Sequence, residues 1–166
     1  MSLKKIISSA ILGTTFMTAW SIIVSRKTQK QFREPVLLNL LLRRMAYKNK
    51  VDADSAAGWI SHYLAGAAFT AVYDQVWQKQ KPSLRNSLVL GGISGLAGIG
   101  IWEMAFQMHP NPPHVDRKNY YQQLLIAHLI FGLFAALGYR LDEIRNSEQV
   151  KAIIRKVKKE GSLLQA

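Results

Sequence analysis

Apolar residues in this chain gather into four blocks nearly free of charge, residues 6–24, 56–77, 87–108 and 121–139, each 19 to 22 residues long. At a rise of ~1.5 Å per residue, helices of that length cross a hydrocarbon core of about 30 Å. The pattern predicts four transmembrane helices, each running against the one before it. The longest connector, residues 25–55, holds a shorter apolar run over 35–47, with Leu37, Leu38, Leu41 and Leu42 between Pro35 and the basic Arg43, Arg44 and Lys48. Pro near the start suits a helix. The run is too short to span, so it reads as a helix lying in the membrane interface, with a short cap packed on the bundle as the alternative. Beyond Arg140, residues Ile144, Val150, Ile153, Ile154 and Val157 recur among Lys and Arg, the pattern of a basic amphipathic helix. The expected fold is all-α: an integral membrane four-helix bundle over residues 1–140, with an interfacial helix after the first span and a basic amphipathic tail over 141–166.

Start and stop signals support these boundaries. Lys4 and Lys5 before the first block resemble a secretory signal, but the block is long and no small-x-small site follows Trp20, which favours a retained span. Asp52, Asp54 and Ser55 are N-cap residues for the second span. The segment Lys79 to Arg85, with Pro82, breaks the chain before the third, and HPNPPH, His109 to His114, makes a rigid turn before the fourth. Thr14, Thr15, Thr18 and Ser21 can bond to their own helix carbonyls or to neighbouring helices. Ala65-Gly66-Ala67-Ala68 and the Gly91/Gly95 spacing within GGISGLAGIG permit close helix contact. The glycine run does not read as a phosphate loop, since no Lys-Ser/Thr follows it and no strand precedes it. Trp20, Trp77, Tyr120, Tyr121 and Tyr139 lie near span ends and read as interfacial anchors.

The formal charge of +12 comes from 22 Lys and Arg against 10 Asp and Glu. Because the basic residues lie in connectors and tail, they point to anionic lipid head groups rather than to nucleic acid. Four spans put both termini on one side, and Lys and Arg then divide 12 against 10, a balance that leaves orientation to the long basic tail, which favours termini inside. The Gly-rich third span offers a contact surface for a protein partner or a second copy. The chain has no Cys, so a metal would have to use His, carboxylate or carbonyl ligands.

Ionisable residues inside a membrane are costly, and they mark function or specific pairing. His62, Glu103 and His128 fall roughly 8 to 11 Å below one face, counted at ~1.5 Å per residue from the span ends, with His109 and His114 in the connector above. Two imidazoles and a carboxylate would accept a divalent metal, with His109 completing the shell. His62 and His128 could instead ligate a b-type haem, or the group could relay protons. The plainer expectation is a set of single interhelical hydrogen bonds. No HExxH or ExxH spacing is present. Asp74 and Arg140 fall at one depth near the opposite face and are expected to form a structural pair. No nucleophile, base and orienter stand in a recognisable arrangement, which argues against an enzyme. A non-catalytic accessory or assembly subunit of a larger membrane complex is the alternative function.

The stretches GTTFMTAWS, GWISHYLAGAAFTAVYDQVW and LLIAHLIFGLFAALGYR resemble small uncharacterised bacterial inner-membrane proteins of the YagU-like family. That resemblance implies a multi-pass inner-membrane protein without established catalysis.

Overall fold

The computed structural model describes residues 3–45, 55–145, 147 and 152. Among them it is all-helical, with five helices in the order α1 (Leu3–Thr28), α2 (Glu34–Met45), α3 (Ala56–Trp77), α4 (Leu84–Met108) and α5 (Arg117–Arg145). Asp52, Asp54 and nearly all of the basic tail lie outside the described residues.

Helices α1, α4 and α5 are each long and apolar enough to cross a membrane, which is compatible with a multi-pass membrane protein. α3 has 22 residues, enough for the same distance, but with His62, Thr70, Asp74 and Gln75 along its length it is not among the helices apolar enough throughout to cross. Apolar side chains cover much of the exterior, and polar side chains share the interior with an aromatic and aliphatic core. Ile7, Ile11, Ile60, Leu64, Val72, Val89, Ile93 and Leu96 are exposed, whereas Ser9, Thr18, Ser21, His62, Thr70, Asp74, Ser94 and His128 are buried. On α3 the outward stripe Ile60, Leu64, Ala68, Val72 and the inward stripe Gly58, His62, Gly66, Thr70 each repeat every four residues, so they occupy opposite sides of one helix.

α5 packs between α1 and α4, α1 also packs on α3, and α2 lies against α3. Contacts at the helix ends fix the directions. At one end Lys30 pairs with Asp116 at 2.5 Å, and the Arg44 guanidinium donates to the Pro112 carbonyl at 2.7 Å. At the other end Lys5 pairs with Glu143 at 2.7 Å, and Arg140 donates to the Pro82 carbonyl. The four long helices therefore alternate in direction, with the connectors after α1 and after α4 at the same end.

Close approach is made by small residues. A Cβ on Gly132 would sit 2.3 Å from the Ser87 carbonyl oxygen, and one on Gly91 would sit 2.6 Å from that of His128. Gly91, Gly95 and Gly98 of α4 thus face α5 within the chain, whereas Gly100 has nothing within 4 Å of the position a Cβ would occupy. α1 stops at Gln29, whose φ of 54° is the left-handed conformation that ends a helix.

α2 turns its apolar side inward. Val36, Leu37 and Leu41 are buried together with Phe32, so the apolar side of this helix packs on protein. Ser55 occupies the N-cap position of α3, but its side chain does not cap the helix. Asn39 of α2 does so: its Oδ1 accepts from the Gly58 N–H and the Ser55 hydroxyl, both at 2.7 Å. The expected interfacial anchors Trp77, Tyr120 and Tyr139 are core residues, stacked edge to face within the molecule. Each has an aromatic neighbour in reach, and packing overrides the position near a helix end.

Candidate functional site

Between α1, α2, α3, α4 and α5, towards the end that carries Lys30 and Asp116, lies a cavity of about 150 Å³. Its wall is mostly apolar and includes Met17, Leu38, Phe69, Trp102 and Phe131. Three ionisable side chains line it: Glu34 from the first turn of α2, His62 from α3 and His128 from α5.

Glu34 is 1% exposed. Its Oε1 accepts from the Ser21 hydroxyl at 2.8 Å and from the Gln123 amide at 3.1 Å, while its Oε2 meets no partner. Burial pushes the carboxyl up to about 7, against the weaker opposing effect of hydrogen bonds from its own backbone, Ser21 and Gln123. Among the described residues Oε2 is the carboxyl oxygen without a side-chain partner, and the proton of the neutral acid resides there.

The two imidazoles have assignable tautomers. Thr18 gives its one hydroxyl hydrogen to the Thr14 carbonyl at 2.7 Å, so its oxygen accepts from His62 Nε2–H at 3.0 Å. Nδ1 of a neutral His62 is therefore an acceptor. His128 Nδ1 lies 2.9 Å from the Leu124 carbonyl, which can only accept, so Nε2 is the bare acceptor of that ring. His128 fits because Gly98 leaves room: a Cβ there would sit 2.9 Å from the ring. Phe69 stands edge-on to the same imidazole, with centroids 5.7 Å apart.

The other expected site residues lie elsewhere. Glu103 accepts from Gln107 at 2.7 Å, from Arg117 at 3.1 Å and from the Tyr121 hydroxyl, on the outer side of the α4–α5 contact. Gly98, Ile101, Trp102 and Ala105 are the α4 residues that line the cavity, and a position ~100° round the helix from Trp102 turns away from it. His109 is used up structurally: Nε2–H donates to the Leu41 carbonyl at 2.9 Å, and Nδ1 accepts from the Asn111 N–H at 3.1 Å. Asp74 and Arg140 take separate partners, Gln78 and the Pro82 carbonyl, in place of the expected pair. Among the described residues no group of three His or acidic side chains is placed to hold a metal ion. Nor does the space suit haem, since ~150 Å³ is the size of a cavity that takes up benzene.

Glu34 is the residue that sequence reasoning missed. Its signal was present: it is the sole acidic residue between Ser25 and Val51, a stretch otherwise rich in Lys and Arg, and it immediately precedes the apolar run.

Among the described residues the chain is all-helical, with large apolar side chains on its exterior and three helices long and apolar enough to cross a bilayer, which is compatible with a multi-pass membrane protein. No protein-family model matches the chain, and comparison with curated proteins and with solved structures returns no match either.

Proposed function

We propose that this is a four-span protein of the cell membrane, α3 being the remaining span, and that it works as a proton-linked binding protein whose site is the chamber between Glu34, His62 and His128. The observation that carries this reading is the convergence of one carboxyl and two imidazoles, from three different helices, on a single cavity. Among the described residues each keeps one polar atom without a side-chain partner, while its other polar atom is fixed by a hydrogen bond. Side chains held in this way are oriented for something else to occupy the space. A metal or haem centre, the other use of two intramembrane imidazoles, is disfavoured by the placement of Glu103 and His109 and by the small volume.

Isotope-edited infrared titration of the purified protein in lipid nanodiscs tests the site. The expected result is a protonated-carboxyl band that disappears with a midpoint near pH 7, is absent in Glu34→Gln, and shifts in His62→Leu and His128→Phe. A band that ignores both histidine substitutions, or a Glu34 that is fully ionised at pH 5.5, contradicts the reading.

A further inference from the structure

We propose that the chamber binds a lipid-soluble molecule with a hydroxyl group on an apolar body about the size of one aromatic ring, admitted from the bilayer between α3 and α4. This rests on the reading of Glu34, His62 and His128 as one site and names the class of ligand it would take.

The hydrogen-bond inventory selects the head group. Among the described residues Glu34 Oε2 meets no partner, and the hydrogen bonds of the two imidazoles are made by His62 Nε2 and His128 Nδ1, which leaves one acceptor nitrogen on each neutral ring. A hydroxyl answers both, since its oxygen accepts from Glu34 Oε2–H and its hydrogen goes to an imidazole nitrogen. An ether or ketone could only accept, and a hydrocarbon could do neither.

The wall selects the body. Apart from those groups the wall is apolar, and a space of ~150 Å³ is the size that takes up a benzene-sized solute. Phe69, Trp102 and Phe131 present aromatic surface to such a solute.

The packing selects the route. α3 and α4 are not among the closely packed helix pairs, and they are joined by the Tyr73–Ser94 hydrogen bond of 2.6 Å, about one turn beyond the cavity-lining Phe69 and Gly98. Ala65 of α3 and Ile101 of α4 line the cavity and are also exposed on the apolar exterior. A solute dissolved in the acyl chains therefore meets the cavity without crossing the polar connectors.

Fluorine NMR of the full chain in nanodiscs, with 4-fluorophenol and 4-fluorotoluene as probes, tests the proposal. Expected is a saturable bound signal for 4-fluorophenol, with 4-fluorotoluene at least tenfold weaker. Affinity for the phenol should fall at least tenfold in His128→Phe, which keeps the bulk and removes the acceptor, and in Ala105→Leu, which fills the cavity from α4 without touching the hydrogen-bonding groups. Equal binding of the two probes overturns the proposal, as does binding unchanged in both variants. Absence of saturable binding overturns it too. If the infrared band of Glu34 still shifts with His62→Leu and His128→Phe in that last case, the shared site stands and the ligand class is wrong. If the coupling is also missing, the site itself is wrong.

Discussion

Glu34 sits where burial and the Oε2 atom without a partner both favour its neutral form. Its carboxyl, ordinarily near 4.5, titrates at about 7 in the folded chain, so folding takes up a proton in the interval between those values. Stability should therefore be greatest below about pH 4.5, fall as pH rises towards 7, and level off above it. The fall is on the order of 3 kcal/mol at ~1.4 kcal/mol per pH unit. Thermal unfolding in mild detergent should show this slope in the parent protein and a much flatter profile in Glu34→Gln; equal slopes would remove Glu34 as the source. Asp116 behaves in the opposite way: the Lys30 ammonium, with help from Asn119, holds it down at about 2, so it stays charged across that range and does not contribute to the slope. How much of the site was legible divides along the same lines. His62 and His128 stand out as polar letters in apolar text, and both reach the cavity. Glu103 stands out equally and does not, because depth along a helix says nothing of the direction in which a side chain leaves it, and Arg117 and Tyr121 lie on its outer side. Glu34 carries no such mark, since it stands in a charged connector and only the inward placement of α2 buries it.

Among the elements, helix α4 shows why glycine spacing carries information. Gly91, Gly95 and Gly98 face α5 and the His128 ring, whereas Gly100 has nothing within 4 Å of the position a Cβ would occupy. Gly132→Ala, opposite Ser87 and Gly91, should destabilise the α4–α5 contact by about 1–3 kcal/mol, since backbone atoms on both sides must shift. Gly100→Ala should cost nothing measurable. Similar losses in the two variants, followed by unfolding in detergent, would mean that the glycine face does not bear the contact. The GxxxG spacing announced a helix contact in the sequence, but not whether the contact lay within the chain or between chains. The boundaries of the long helices were legible because span length is dictated by bilayer thickness. The role of α2 was not, because a run of leucines suits lipid and protein core alike; the inward placement of Val36, Leu37 and Leu41 decides it.

At the scale of the whole molecule the account depends on α3 crossing the bilayer. Without that, His62 is not brought beside His128 inside the hydrophobic layer, and the gap between α3 and α4 does not open to acyl chains. The exposed stripe Ile60, Leu64 and Val72 supports the crossing, and so do the end contacts that place the connectors after α1 and after α4 together. The chain has no Cys, so single cysteines can be introduced and read without background. The most direct test is labelling of Gln29→Cys, Gln80→Cys and Asn111→Cys with a membrane-impermeant maleimide in intact cells and in permeabilised ones. Four spans predict that positions 29 and 111 react from one side and position 80 from the other. Reaction of 29 and 80 from the same side, with 111 opposite, would leave α3 lying outside the bilayer and would contradict the account.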